Sequence, residues 1–305
     1  MSRNAGETLL SDHGDMRLVT SDIAENADEV RAADLLTGRN EMVQLDPDHP
    51  GFRDADYRVR RNSIARIAME YRPGTQIPDA PYTAEEHELW RIIREAVDPE
   101  HRSHACVAYL KCIEKLDLPH DRIPQLGEVS QKVESISGFR LEPVAGLVRP
   151  RVFLESLADG VFLCTQYIRH YSTPLYTPEP DVVHELLGHA VTLASKRLAE
   201  LNRMVGTVVK RTHSQEAFER LSRVYWFTIE FGVVREDQDL KAYGTGLLSS
   251  AGELQKMHSA DLRPLDLEAA SRQEYDPTKF QPILYCAASF DEMYQQLSDY
   301  LLRFK

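Results

Sequence analysis

Glu230 stands in "VYWFTIEFGVV", with Val224, Tyr225, Trp226, Phe227, Ile229, Phe231 and Val233 around it. Apolar residues fall on nearly every side of it, so a helix through this stretch must carry the carboxylate inward. An unpaired carboxylate costs several kcal/mol to bury, so the fold has to bring a cation or strong hydrogen bonds to Glu230 from elsewhere in the chain. The competing reading places Glu230 on the solvated stripe of an amphipathic helix, which its neighbours disfavour.

A partner for that carboxylate is offered by "PEPDVVHELLGHAV", Pro178 to Val191. Its two histidines flank a glutamate as in the H-E-x-x-H helix of zinc proteases, but His184 and His189 are five apart where that motif needs four. On an ideal helix such a pair lies ~140° apart around the axis, against ~40° for an i,i+4 pair. Gly188, immediately before His189, can unwind or end the helix and swing the second imidazole round. Two structural histidines remain the alternative. If both bind metal, two histidines and one distant carboxylate form the shell of non-haem Fe(II) oxygen-activating enzymes, with one face of the ion left open. Glu230 is the candidate third ligand.

The 305 residues can hold one large domain or two small ones, and 42% hydrophobic content suffices for an ordinary core. A net charge of -12 argues against nucleic acid or an anionic membrane as partner and points to a small-molecule substrate. There is neither an apolar run of spanning length nor a secretory leader pattern, so a cytoplasmic protein is expected. Cys106, Cys112, Cys164 and Cys286 lack close metal-type spacing and read as buried thiols.

Residues 1–45, charged and without period, read as a loosely ordered extension with one short helix around Ser21 to Leu36; residues 46–305 read as one domain. Helical periodicity dominates from there. "YTAEEHELWRIIREAV" has Thr83 as N-cap, and "HACVAYLKCIEKL", "LGEVSQKVESIS", "RVFLESLADGVFLCTQYI", "VVHELLGHAVTLA", "KRLAELNRMVGTVV" and "SQEAFERLSRVYWFTIEFGVV" are further helices, with a last one from about Phe290 to Arg303. Strand signals are confined to "FRLEPVAGLV", "LKAYGTGLL" and "QPILYCA". The expected class is mainly α with small β elements.

Taken together, "TQYIRHYSTPLYTPEPDVVHELLGH", "YWFTIEFG" and "KAYGTGLLSSAGEL" closely resemble the tetrahydropterin-dependent aromatic amino acid hydroxylases. "LDPDHPGFRDADYRVRR", "IPQLGEVSQ", "GFRLEPVAGLV" and "FQPILY" resemble the same family, in order, so the likeness runs over about residues 45 to 300. It implies the catalytic-domain fold of that family. It also implies Fe(II) on His184, His189 and Glu230, beside a tetrahydropterin (tetrahydrobiopterin or a related reduced pterin) that activates O₂ together with the iron. The implied substrate is an aromatic amino acid, its carboxylate on Arg169, its polar end near Thr177 and Ser249, and its ring near Pro180, Trp226, Phe231 and Gly246. The pterin would stack on Phe153 and meet the backbone of Gly146 and Val148, with Glu185 and Tyr225 lining its site.

Trp226 is typical of the phenylalanine and tyrosine enzymes of that family, so hydroxylation of phenylalanine, para to give tyrosine, is the leading expectation. Meta-hydroxylation and action on tyrosine or tryptophan are the alternatives within the family. The chain departs from the usual pattern at Ala190 to Thr192, Leu163, Pro150 and Thr245, the last standing where alanine is common. Thr245 and the "HAVTLA" segment could move the ring toward meta attack. The different-class alternative is a zinc hydrolase with Glu185 as general base, disfavoured by the five-residue spacing. About 45 residues ahead of the matching region cannot hold the regulatory domain of the family's animal members, and the chain ends soon after "SDYLLRFK", so a monomer or at most a weak dimer is expected.

Overall fold

The computed structural model describes residues 45–175, 177 and 179–304. The N-terminal extension, with its expected helix from Ser21 to Leu36, lies outside the described residues save for its last position.

The chain opens with α1 (Ala55–Glu70), capped by the Asp54 side chain and not marked by the sequence reading, and α2 (Ala84–His104). Thr83 caps α2 as expected, in a reciprocal box with Glu86. Helix α2 runs past Val97 and through Pro99 to His104. Helices α3 (Val107–Leu116) and α4 (Leu126–Ser137) follow. Strand β1 (Arg140–Pro143) pairs in parallel with β2 (Val161–Cys164), and the short α5 (Pro150–Ser156) lies between them. The sequence reading had one helix through "RVFLESLADGVFLCTQYI". Instead Gly160 at φ +68 turns the chain out of the helix, and "VFLC", apolar throughout, becomes a buried strand.

Two segments then adopt π-helix, His184–Ala190 and Trp226–Glu230. The first continues into α6 (Val191–Leu193), and α7 (Lys196–Arg211) follows; the second grows out of α8 (Gln215–Tyr225). The sequence reading carried α8 on through "EFGVV". That helix closes at Glu230, and Val233 begins strand β3 (Val233–Glu236), hairpinned to β4 (Asp239–Ala242). Only "LKA" of "LKAYGTGLL" is strand, because the chain turns into α9 (Thr245–Leu248) and α10 (Ala251–Lys256). Strand β5 (Asp261–Pro264), helix α11 (Leu267–Ala270), strand β6 (Ile283–Ala287) and helix α12 (Phe290–Arg303) complete the order. The second sheet has the order β4-β3-β6-β5. The mainly helical class with small β elements is the one expected.

The core surrounds the first π-helix, whose Leu186, Leu187 and Ala190 are wholly buried with Val191 and Leu193 behind them. Tyr109 of α3 donates its hydroxyl to the Leu187 carbonyl at 2.8 Å, and the imidazole of His101 in α2 sits 2.6 Å from the Leu248 carbonyl of α9. Burial pushes His101 down to about 4, so at neutral pH the ring is uncharged and donates its Nε2 proton to that carbonyl. Both elements that frame the site are thus pinned from behind. All four cysteines are free, three of them buried as expected. Among the described residues no helix is long and apolar enough to cross a membrane.

Candidate metal centre

In a π-helix the hydrogen bonds run from i to i+5, so residues five apart stand roughly one turn above each other on the same face. That geometry, rather than a helix end at Gly188, reconciles the odd spacing of His184 and His189. The Val191 N–H reaches back to Leu186, and the backbone runs on in right-handed helix through Ala190. Gly188 has a different task. A Cβ there would lie 2.9 Å from the Thr245 carbonyl oxygen, so glycine lets α9 lie directly on the ligand helix.

The two imidazoles meet at 2.9 Å, Nε2 to Nε2, and His189 Nε2 lies 3.2 Å from Glu230 Oε1 while His184 Nε2 lies 3.7 Å from Glu230 Oε2. Candidate ligand atoms of all three residues fall within 4.8 Å of one another. Glu230 comes from the second π-helix, where the Phe231 N–H bonds to the Trp226 carbonyl, again i to i+5. The carboxylate sits inside the protein, as its neighbours in sequence required. Burial alone would raise the Glu230 carboxyl, but His189, His184 and the Thr245 hydroxyl outweigh it and hold it at about 2. Burial and the neighbouring His189 push His184 down to about 4, opposed by Glu230, so both groups are in the forms that ligate: neutral imidazole and carboxylate.

Two of the three candidate ligands have a hydrogen-bonding neighbour in α9 or at its C-cap: Thr245 Oγ1 lies 2.6 Å from Glu230 Oε2. His184 Nδ1 lies 2.9 Å from Ser249 Oγ, which directs Nε2 to the centre. The Asp181 carboxylate caps the ligand helix by accepting the His184 N–H at 3.2 Å. The same carboxylate takes Nε and Nη2 of Arg169 at 2.9 and 2.8 Å, and Arg169 and Asp181 are both buried. One edge of the Arg169 fork is therefore engaged. The Nη1/Nη2 edge is what remains for an incoming carboxylate, with Nη1 also 3.3 Å from the Pro174 carbonyl. Neither Asp181 nor Ser249 in this supporting role was identified from sequence. Ser249 was read as a substrate contact, and an oxygen beside a histidine leaves no periodic signal.

On one side of the centre Trp226 stacks on Tyr275 at 4.1 Å, tilts against Phe231 at 4.6 Å, and donates its indole N–H to Gln281. Gly246 underlies the Phe231 ring, since a Cβ there would come within 2.5 Å of it. The Pro180 carbonyl accepts from the hydroxyls of Thr165 and Tyr167, and Thr177 gives its hydroxyl to the Glu179 carbonyl at 2.9 Å. Tyr275 and Gln281, far along the chain from Trp226, were missed in the sequence reading.

On another side Phe153 of α5 meets Phe162 of β2 edge-on at 5.2 Å and Tyr225 at 6.1 Å, and Phe162 lies 4.3 Å from the His189 ring. Phe162 thus joins the half-buried Phe153 to a candidate ligand, a role hidden in sequence because "VFLC" was assigned to a helix. Glu185 Oε1 accepts from the Thr165 N–H at 3.1 Å and its hydroxyl at 3.0 Å; burial lifts this carboxyl to about 7 against those bonds and His189. Gly146 and Val148 lie in the loop between β1 and α5, tied at its start by the Val144 N–H to the Cys164 carbonyl. No hydrogen bond from Gly146 or Val148 to the centre is seen among the described residues.

Whether this donor set suits iron is a question of chemistry. Two imidazole nitrogens and one carboxylate, brought within 4.8 Å of one another, match a two-histidine, one-carboxylate shell. The five-residue spacing and the remote carboxylate do not match a zincin helix, and Glu185 is engaged by Thr165.

The family model of biopterin-dependent aromatic amino acid hydroxylases matches residues 28–305. The phenylalanine-4-hydroxylase of Bos taurus is 45% identical over 264 residues, covering 85% of this chain and 58% of that protein. The chain thus spans little more than half the length of such relatives. The phenylalanine 3-hydroxylase of Streptomyces coeruleorubidus is 45% identical over 245 residues, 80% of this chain and 88% of that protein. Among solved structures, phenylalanine hydroxylase of Chromobacterium violaceum with bound iron(III) and 7,8-dihydrobiopterin aligns with a TM-score of 0.69 at 27% identity, over 77% of this chain and 89% of that one.

Proposed function

The chain belongs to the biopterin-dependent aromatic amino acid hydroxylase family, and we propose that it is an iron- and tetrahydropterin-dependent monooxygenase that hydroxylates the ring of L-phenylalanine at the para carbon. The observation that carries this reading is the convergence of His184, His189 and Glu230 from two π-helices, flanked by the aromatic groups around Trp226 and around Phe153.

His184, His189 and Glu230 would hold Fe(II) through one face, leaving the opposite positions open. When bound, the iron and the reduced pterin supply the oxygen chemistry that side chains lack. The chain's own work is placement and exclusion of water. The Nη1/Nη2 edge of Arg169 takes the substrate carboxylate in two parallel hydrogen bonds, with Asp181 fixing the guanidinium from its other edge. Thr177 and Ser249 meet the polar end of the amino acid, and the ring rests among Pro180, Trp226, Phe231 and Gly246. Phe153 takes the pterin by stacking, Gly146 and Val148 offer backbone contacts, and Glu185 and Tyr225 close that side. Burial of Glu185, Glu230, His189 and Arg169 keeps the reaction out of bulk water.

One observation favours a second reading of the same site: the 45% identity to a phenylalanine 3-hydroxylase of which the chain covers 88%. Meta-hydroxylation would follow from a displacement of the ring alone. One experiment separates these readings. Purified protein is incubated with Fe(II), a tetrahydropterin, O₂ and each aromatic amino acid in turn, and the hydroxylated isomers are resolved by chromatography. Para-tyrosine from phenylalanine is the expected product. Meta-tyrosine would establish the second reading, and no product from any aromatic amino acid would refute both.

A further inference from the structure

Gln281, two residues before β6, is only 6% exposed, and its side-chain amide is bonded at both ends. Oε1 accepts the Trp226 indole N–H at 3.0 Å, while Nε2 donates to the carbonyls of Asp276 at 3.0 Å and Lys279 at 2.8 Å. Those partners fix which end of the amide is oxygen, since a flipped amide would set N–H against N–H and oxygen against two carbonyls. The amide therefore joins Trp226 to the turn from Asp276 to Lys279. That turn has its own brace, the Asp276 carboxylate accepting from the Thr278 N–H at 2.9 Å and its hydroxyl at 2.6 Å. Tyr275, immediately before it, stacks on the indole at 4.1 Å with 12° between the planes. Gln281 is in turn held by α10: its backbone bonds to the Glu253 carboxylate, and Lys256 Nζ sits 3.5 Å over the ring of the neighbouring Phe280.

We propose that Gln281 is a specificity-determining positioning residue: by holding the indole N–H and docking the segment Tyr275–Lys279 on Trp226, it makes Trp226 a fixed, apolar wall for the substrate ring. The inference rests on the reading of Trp226 as a ring-facing residue and deepens it. The indole N–H is the polar group of a tryptophan side chain, a donor with no acceptor capacity. With that donor satisfied by Gln281, Trp226 has aromatic surface alone to offer a neighbouring ring, which suits the unsubstituted ring of phenylalanine. A phenol in the same place would bury its hydroxyl against that surface without gaining the indole as a partner. Removing the Gln281 amide leaves a half-buried N–H without its acceptor, available to a ring hydroxyl, and lets the Tyr275–Lys279 segment come away from the wall. An apolar pocket rejects an added hydroxyl by only about 100-fold, so about 10-fold of preference is what one such wall controls.

The test uses the two tryptophans of the chain, Trp90 and Trp226, as reporters. Protein labelled with ¹⁵N and loaded with Zn(II) is expected to give two indole N–H cross-peaks, that of Trp226 being identified by its loss in Trp226→Phe. Gln281→Met keeps the length of the side chain and loses its polar ends. In that variant the Trp226 indole proton is expected to move upfield and to exchange with solvent about 10-fold faster, while Trp90, bonded to the Pro119 carbonyl, stays in place. Calorimetric titration is expected to show phenylalanine bound about 10-fold more weakly and tyrosine little changed, so that the ratio of dissociation constants moves toward tyrosine. Gln281→Leu carries the same comparison should the methionine variant not fold. Lys256→Ala controls for general loosening: it frees Phe280 from α10 without touching the amide, and is expected to lower Tm with the Trp226 peak and the ratio unchanged. An unmoved Trp226 proton in the Gln281 variants, an unchanged ratio beside a moved proton, the same change of ratio in Lys256→Ala, or a wild type that binds neither amino acid would overturn the proposal. Binding that follows the expected ratio in a protein that hydroxylates no aromatic amino acid would refute the functional reading and leave this one standing.

Discussion

The close approach of Gly188 to Thr245 gives the sharpest mutational test of how the centre is built. In Gly188→Ala the new Cβ would lie 2.9 Å from the Thr245 carbonyl oxygen and 3.3 Å from its Cβ. Unbonded heavy atoms rest at roughly 3.5 Å, so the carbonyl must retreat by roughly 0.6 Å, and it is backbone rather than a flexible side-chain tip. Overpacking of this kind costs about 1–3 kcal/mol. The substitution also brings the ordinary helix preference of alanine over glycine, about 0.5–1 kcal/mol in the opposite sense. The clash wins, and a net loss of about 1–2 kcal/mol corresponds to a fall in Tm of roughly 2–6 °C for a chain of this size. Because α9 carries the braces for Glu230 and His184, its displacement should also weaken metal binding about 10-fold. Calorimetry gives the first number and titration with Co(II) the second. Gly127→Ala is the control: in α4, with its nearest non-local atom 3.7 Å from the added Cβ, it should leave Tm unchanged or higher. Equal or higher Tm with unchanged metal affinity in Gly188→Ala would refute the packing role and return Gly188 to that of a hinge.

Ser249→Ala removes the partner of His184 Nδ1 and should raise the dissociation constant for Co(II) about 10-fold, measured by calorimetric titration. Arg169→Lys breaks a two-bond pair with the fully buried Asp181, so about 1–3 kcal/mol of stability should be lost and the KM for the amino acid should rise, read from thermal melts and steady-state kinetics. Glu253 of α10 supplies a pH test away from the centre. Burial lifts its carboxyl to about 7, against the pull of the Gln281 backbone and Lys256. With its folded value above the unfolded one, the folded state holds this proton more tightly, so stability from this group is present below about 4.5 and is lost as pH rises through about 7. Glu253→Gln should therefore raise stability at pH ~8, by at most on the order of 3 kcal/mol, and change little at pH ~5, as followed by Tm across that range.

The parts of this protein legible in sequence are those whose physics is local. Thr83 before an amphipathic run gave the start of α2, and "LGEVSQKVESIS" before Gly138 gave both ends of α4. Glu230 was read as buried because its neighbours left it no solvated face, and it is buried. The failures have one cause as well. "VFLC", "VVRE" and "DLRP" are strands because partners distant in sequence pair with them, and four-residue segments carry too little periodicity to announce it. Phe162, Thr165, Tyr275 and Gln281 act through contacts across the fold, so nothing near them in the chain marks their use, whereas Asp181, three residues before His184, carried a local N-cap signal that went unread. Thr245 lies between these cases. Its departure from the common residue was visible, but the hydrogen bond to Glu230 became visible only when α9 was seen lying on the ligand helix.

The five-residue histidine spacing belongs to a wider arrangement than one distorted turn. Both segments that deliver candidate ligands leave the α-helix for the π form, one over His184–Ala190 and the other over Trp226–Glu230. A π-helix is locally unfavourable and persists where surrounding structure fixes it. Here the fixing groups can be named: the Asp181 cap, the Tyr109 hydroxyl on the Leu187 carbonyl, the Thr192 hydroxyl on the His189 carbonyl, and the Thr228 hydroxyl on the Val224 carbonyl. Each satisfies or constrains a backbone group beside the widened turns. Widening also sets the angle at which a side chain leaves the helix, which is how residues five apart come to face one point and how Glu230 turns inward from an otherwise uncharged turn. The spacing is therefore a trace in sequence of a backbone form whose cost is offset by groups from α3, from the Asp181 loop and from the helices themselves. Those groups, more than the ligands, are what a chain with the same three ligand residues would need in order to assemble the same centre.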